Sequence, residues 1–448
     1  MNPNKVCASF QGRGLKASLL RSGSGSILLR VLVFALSLLM TVVLARALGA
    51  KGYGVYAYAM AIVTLLAIPA QVGLPTIIVR ETARAEANDR WGLIRGLWGW
   101  SGKLVLALSA VLVVIAFFVA WLGRESHDSL QLQTFYAALP LIPLMALGSV
   151  RGAALRGLRH VIKGQLPESV LRPSFLIVMI LFVYVLLAES VTPKEAMMLH
   201  SAAAALAFIV GAYMLRRARP DGLIQNPAPE YEAKYWRRSI LPLSMIGGAN
   251  VINAQADIVM LGWMTSSEDV GIYRVVAASV LMINFGKQAI VSVVSPFFSR
   301  MYAKSEMQSL QALVTKSNQV VFLLSLPAFL VFLLAGEAML GLIFGEEFSA
   351  GYVPLVILSL GYVFGMTIGS VSALLNMTGH EKYTAISVGM SAVLNIVLNL
   401  LLIPVWGIAG AATAMAVSMV ISNSMLWVIA VRQLGIKSGI FGSLSRAK

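Results

Sequence analysis

Apolar stretches of about 20 residues recur along the whole chain, near 27–48, 55–79, 98–122, 134–155, 168–188, 194–215, 240–263, 270–297, 314–335, 352–376, 383–404 and 408–431. Each has about the length that a helix needs to cross the hydrocarbon core of a bilayer, and charged residues gather between the stretches rather than inside them. The pattern predicts an all-α polytopic membrane protein with about twelve transmembrane helices. Residues 1–25 precede the first helix as a basic arm rich in Gly and Ser, which reads as mobile. Ala45-Arg46-Ala47 mimics a signal-peptide cleavage site, but the apolar run before it exceeds the ~7–15 residues of a signal core, so it is read as the first helix.

The second half of the chain repeats the first. Gly54-Val55-Tyr56 answers Gly271-Ile272-Tyr273, Arg84 after Pro75 answers Arg300 after Pro296, and Ala154-Leu155-Arg156 before His160 answers Leu374-Leu375-Asn376 before His380, at offsets of 217, 216 and 220. A nearly constant offset across separate matches predicts two six-helix lobes, residues 26–215 and 239–431. Copies separated by an even number of helices share orientation, so a pseudo-two-fold axis lies along the membrane normal. Between the lobes, 216–238 carries Pro220, Pro227 and Pro229 and then Tyr231, Tyr235 and Trp236. It reads as an extended linker whose aromatic end lies in the headgroup region. A tail, 432–448, closes the chain.

Composition agrees with this reading: mean hydropathy is +0.81, 58% of residues are hydrophobic and only 12% are charged. The net charge of +16 does not mark a nucleic-acid-binding module, because the basic residues alternate with the loops. One set of loops holds Arg80, Arg84, Arg151, Arg156, Arg216, Arg217 and Arg300, whereas the opposite set is poor in Lys and Arg and includes Glu268, Asp269, Glu346 and Glu347. By the positive-inside rule both termini are cytoplasmic. The single cysteine, Cys7, excludes an intrachain disulfide. No phosphate-binding Gly-rich loop with Lys and Ser/Thr occurs, His127, His160, His200 and His380 are scattered, and neither a metal site nor a cofactor is expected. For His200 a hydrogen-bonded structural role is the preferred reading. Gly361, Gly365 and Gly369 at spacing four predict close helix packing, and Pro69 and Pro75 a kinked second helix.

Ile240 to Trp263 carries Asp257, the one acidic residue well inside an apolar run, with Asn250 and Asn253 on the same helical face. That face is expected to line a cavity between the lobes. Asn284, Asn395 and Asn399 are further cavity candidates, and interhelical hydrogen bonding is the alternative for all five of these asparagines. In a hairpin turning at Ser266 and Ser267, Asp257 and Arg274 reach similar depths and are expected to pair, either as a gate latch or as a purely structural ion pair. Arg30, Lys103 and Arg172 lie near helix ends, where snorkelling competes with a binding role, and Arg172 can also pair with Glu168. Lys287 sits about ten residues from Phe297, near mid-membrane by ~1.5 Å per residue, and should face water or an anion.

Residues 46–56 (RALGAKGYGVY), 73–84 (GLPTIIVRETAR), Asp257 followed by Val270-Gly271-Ile272-Tyr273, and Thr378-Gly379-His380-Glu381-Lys382 with Asn395, Asn399, Pro404 and 407–412 (GIAGAA) resemble the Wzx-type polysaccharide flippase branch of the multidrug/oligosaccharidyl-lipid/polysaccharide exporter superfamily. The resemblance runs from the first helix to the last. It implies a two-lobed fold that moves an undecaprenyl-pyrophosphate-linked oligosaccharide across the bacterial inner membrane by alternating access. Membrane lipids and polysaccharide polymerase or assembly proteins are the implied partners, and nucleic acid is not. On this basis Lys287 is expected to contact the pyrophosphate, with Arg30 and Arg172 as weaker candidates. Arg274 departs from the family's usual small or polar residue. An ion-coupled antiporter and a non-transporting assembly scaffold stay open as alternatives; the first half lacks the acidic residue deep in a helix that an antiporter would need.

Overall fold

The computed structural model describes residues 13–125, 128–186, 190–225, 227–440 and 442. Cys7 and His127 lie outside them. Among the described residues the chain is almost entirely helical, and nine helices are long and apolar enough to cross a membrane. We label α1 (13–48), α2 (50–71, continued by Leu74–Glu86), α3 (Trp91–Leu122), α4 (Ser129–Gly157), α5 (Val161–Tyr184), α6 (Pro193–Arg217), α7 (Ala233–Met264), α8 (Ser267–Ala303), α9 (Met307–Phe344), α10 (Tyr352–Ile368), α11 (381–406) and α12 (408–434). Large apolar side chains such as Val111, Val114 and Phe118 on α3 point outward and exposed, a surface suited to lipid.

Two of the expected loops do not form. α1 and α2 run into each other through Gly49, whose φ of 66° breaks the helix without a connecting segment, and α11 and α12 do the same through Gly407 at φ 54°. Lys51, expected in a loop, is therefore helical. The described part of the basic arm, from Arg13, is also helical and continuous with α1. α2 breaks where expected, at Val72 and Gly73, both with positive φ, and Pro75 opens the continuation.

The lobes meet along two antiparallel pairs. On α1 and α8, Arg30 reaches the Gln288 carbonyl (3.4 Å) and Phe34 packs on Phe285 (5.1 Å between centroids). On α2 and α7, Gly262 lies against the Tyr58 ring and Gly248 against Ile68. Ser266 and Asp269 cap the start of α8, and Tyr273 meets Asp257 across the turn, so α7 and α8 are antiparallel and the chain must reverse at Gly49.

At the membrane face opposite the linker, α2 and α8 cross in backbone contact. A Cβ on Gly54 would fall 1.6 Å from the Ser267 carbonyl oxygen, and one on Gly271 would fall 2.0 Å from that of Ala50. These glycines are repeat equivalents, and residues that meet their own symmetry mates lie on the axis. Two further contacts flank them in quasi-symmetric fashion: the Ala50 N–H donates to the Glu347 carboxylate (2.9 Å), and Gln131 donates to the Ser267 hydroxyl (2.9 Å). Arg46 caps the C-terminal carbonyls of α9 at Leu342 and Ile343.

The linker is not free in the headgroup region. Arg90 donates to Glu230 (2.7 Å) and Glu232 (3.0 Å), contacts that raise the pKa of its guanidinium, and the Glu230 N–H donates to the Gly92 carbonyl (2.9 Å). Trp236, expected at the interface, is fully buried against Trp100 because it falls on the inward face of the first turns of α7. Gly361 packs on Ala416 as a close-approach residue, whereas Gly369 ends α10 at φ 87° with Asn318 against it.

The N-lobe does hold a partly buried carboxylate. Glu168, in a π-turn of α5, accepts from Arg151 (2.9 Å) and lies 3.7 Å from Arg172. Arg151 is only 5% exposed, so removing it leaves Glu168 with a single distant partner. Arg151→Ala is expected to destabilise the lobe by about 3 kcal/mol, the low end for a broken buried pair because Arg172 remains. Thermal unfolding in detergent should show the loss, and adding Glu168→Gln should recover part of it.

Candidate functional site

A cavity of about 690 Å³ lies between the lobes, walled by α1, α7, α8, α10 and α12. It brings together Asn250, Asn253, Asp257, Arg274 and Asn284 of the residues singled out from sequence, with Phe34 and Thr41 from the opposite lobe. Asn253 also ties α7 to α11 by donating to the Val388 carbonyl (3.1 Å).

Asp257 is buried at the cavity wall, where the Tyr273 hydroxyl donates to its Oδ2 (2.6 Å) and the Asn399 amide to its Oδ1 (2.7 Å). Asn399 also donates to Asn395 Oδ1 (3.1 Å). Asn395 and Asn399 do not line the cavity; both are fully buried and hold the carboxylate from behind. The interhelical alternative therefore describes them better, and they act on the site through Asp257.

The expected Asp257–Arg274 ion pair does not form. Both residues line the cavity at comparable depth, but successive helical residues point about 100° apart. Tyr273 takes the inward direction and reaches Asp257, which leaves Arg274 facing the cavity. Among the described residues Arg274 makes no hydrogen bond or ion pair. Asp257 and Arg274 are the cavity's ionisable acid and base, and only Asp257 has hydrogen-bonded partners.

Lys287 is half-buried one turn beyond Asn284 and does not line the cavity. Arg30 reaches the carbonyl of the next residue, Gln288, so it approaches α8 on the linker side of the cavity. Phe34, which lines the cavity, packs tilted on Phe285 of α8. Arg172 is occupied with Glu168 inside the N-lobe. Among the described residues no group of three or more His, Cys, Asp or Glu could hold a metal.

The sequence reading did not single out Tyr273 as the partner of Asp257, yet the signal was present. Tyr273 repeats Tyr56, and Tyr56 likewise anchors to a titratable residue of its own lobe, with 2.5 Å between its hydroxyl and His200 Nδ1. His200 is thus hydrogen-bonded and buried, the structural role preferred for it.

Comparison with known proteins places this geometry in a family. The family model for "Polysaccharide biosynthesis protein" matches residues 19–302. Among curated relatives, a probable low-salt glycan biosynthesis flippase of Haloferax volcanii is 29% identical over 185 residues, a match spanning 40% of this chain but only 38% of that protein. A putative O-antigen transporter of Shigella flexneri is 22% identical over 86% of this chain and 90% of its own. Two solved structures share the fold at a TM-score of 0.72 and 13% identity, each covering 91% of this chain. One is an inward-facing multidrug transporter of the MATE family, covered over 98% of its length, and the other a lipid II flippase, MurJ, in an inward closed conformation, covered over 87%. The chain, a two-lobed helical membrane protein with a cavity between its lobes lined in part by Asn250, Asn253, Asp257 and Arg274, belongs to the polysaccharide biosynthesis protein family.

Proposed function

We propose that the protein is a flippase that carries an undecaprenyl-pyrophosphate-linked oligosaccharide from the cytoplasmic to the periplasmic leaflet of a bacterial inner membrane, by alternating access around the inter-lobe cavity. The observation that carries this reading is Arg274, a guanidinium at the cavity wall that makes no ion pair or hydrogen bond among the described residues. A guanidinium so placed offers charge-assisted, bidentate hydrogen bonds to a phosphate oxygen. Asn250, Asn253 and Asn284 offer amide partners for sugar hydroxyls on the same wall. The polyprenyl tail needs no such site, because it can stay in lipid between the lobes.

The relatives' names, a glycan flippase and an O-antigen transporter, support the same substrate class. The excess of Lys and Arg in one set of loops supports a cytoplasmic linker face and cytoplasmic termini. Substrate then arrives from the linker side of the cavity, on which Lys287 lies, and the pyrophosphate passes from Lys287 to Arg274. Polymerase or assembly proteins are the partners that would receive the product.

Purified protein in vesicles should translocate a fluorescent lipid-linked oligosaccharide, read as loss of signal to a membrane-impermeant quencher. Arg274→Gln is expected to slow translocation at least tenfold, Arg274→Lys less, and Lys287→Ala to slow loading with insertion unchanged. Absence of translocation by the wild-type protein, or full activity in Arg274→Gln, would overturn the proposal.

A further inference from the structure

The two lobes end differently on their linker-side face. After α12 the chain turns back and fills a cleft between α9, α10 and α12. The Ser438 hydroxyl donates to the Ile368 carbonyl (2.8 Å), the Ile440 N–H to the Thr367 carbonyl (3.1 Å), and the Trp427 indole N–H to the Ser438 carbonyl (2.6 Å). Gln319 closes the far end on the Ile440 carbonyl (3.0 Å).

The offset of 220 that relates residues 154–156 to 374–376 carries Thr367 and Ile368 onto Leu147 and Gly148 of α4, one turn before Val150 and Arg151. After α6, however, the chain leaves through the short helix Asp221–Ile224 toward Trp91 and the linker. The equivalent cleft is left as a cavity of about 520 Å³. Trp98 and Gly99 of α3 form one wall, Phe208 and Ala212 of α6 the other, and Val150 and Arg151 the floor. A Cβ on Gly99 would meet nothing within 4 Å, so the wall at this point is open space.

The charge differs from that of the filled cleft as well. Arg151, buried at the floor, stands where the other lobe has the apolar Val371. Arg219 stands at the mouth with Arg95, which also holds the Pro227 carbonyl (2.7 Å), and no acidic residue lines the cavity. An apolar slot between membrane-spanning helices, with guanidinium groups at its end, matches an amphiphile that carries one anionic headgroup and a hydrocarbon chain. A soluble anion would use the mouth and leave the apolar walls bare. We propose that this N-lobe cleft binds an anionic phospholipid of the linker-side leaflet, its phosphate at Arg219 and Arg95 and one acyl chain along Gly99 and Phe208. This site is separate from the inter-lobe cavity and does not depend on the transported substrate.

Bromine on an acyl chain quenches nearby tryptophan, and Trp98 lines the cleft. The full-length protein would be placed in phosphatidylcholine bilayers containing a minor fraction of brominated phosphatidylglycerol or brominated phosphatidylcholine. Phosphatidylglycerol is expected to quench more, and the difference should disappear in Trp98→Phe. Gly99→Leu, for which the space exists, should fill the slot and abolish the preference without unfolding the protein. Arg219→Gln should weaken it about fivefold. Equal quenching by the two lipids, a preference unchanged in Gly99→Leu, or displacement of the lipid by inorganic phosphate would overturn the proposal, the last by assigning the arginines to a soluble anion.

Discussion

Gly271→Leu is expected to reduce transport to background while leaving the protein inserted and folded within each lobe. The Gly54–Gly271 crossing is backbone against backbone, and a Cβ at 2.0 Å from a carbonyl oxygen cannot be relieved by rotating a side chain. The lobes must separate at that face, and with them the flanking Ala50–Glu347 and Gln131–Ser267 contacts. A cycle that alternates access needs this face to shut, so a wedge here should hold it open. The check is labelling of Ala277→Cys, on the cavity wall, in a Cys7→Ser background. An impermeant maleimide added from the face opposite the linker should react several-fold faster when Gly271→Leu is present. Gly54→Leu should act alike, since the two residues share one contact. Normal transport and unchanged labelling would show that the crossing is not the gate.

Asp257→Leu is expected to lower stability by about 2–6 kcal/mol. It strands two buried groups, the Tyr273 hydroxyl and the Asn399 amide, at roughly 1–3 kcal/mol each. Asp257→Asn should keep the fold, because its amide oxygen can still accept from Tyr273 and, once the Asn399 amide turns over, its NH2 can donate to the unpartnered Asn399 Oδ1, at the cost of the Asn399–Asn395 bond. If the carboxylate's charge takes part in the cycle, Asp257→Asn loses transport despite a melting temperature near that of the wild type. A leucine variant as stable as the wild type would show that Tyr273 and Asn399 do not depend on the carboxylate.

Much of this architecture was legible because lipid imposes simple rules on sequence. Helix lengths follow from the apolar runs, and the repeat pointed to Gly54 and Gly271 before their contact was known. Depth was legible too: Asp257 and Arg274 both line the cavity. Direction was not. One residue's difference around α8 gave Asp257 to Tyr273 rather than to Arg274, and that choice depends on how α8 is rotated against α7 and α11. The role of Asn399 was hidden for the same reason, since its partner lies 142 positions away on another helix. The fused helices at Gly49 and Gly407 escaped a reading based on charge in loops, because a single residue with positive φ suffices to turn the chain and leaves no polar segment to notice.

The docked linker also bears on the order in which the protein is made. Gly92 and Gly96 of α3 have no room for a side chain because the Ala228 and Glu230 carbonyls press on them, and Trp100 packs on Trp236. The first lobe's linker-side end is therefore incomplete until residue 236 has left the ribosome. A nascent chain stopped after α6 would expose α3 tryptophans, and only synthesis of the first turns of α7 would cover them. Coexpressed fragments split before Pro227 should accordingly reassemble better when residues 227–236 are duplicated on the first fragment.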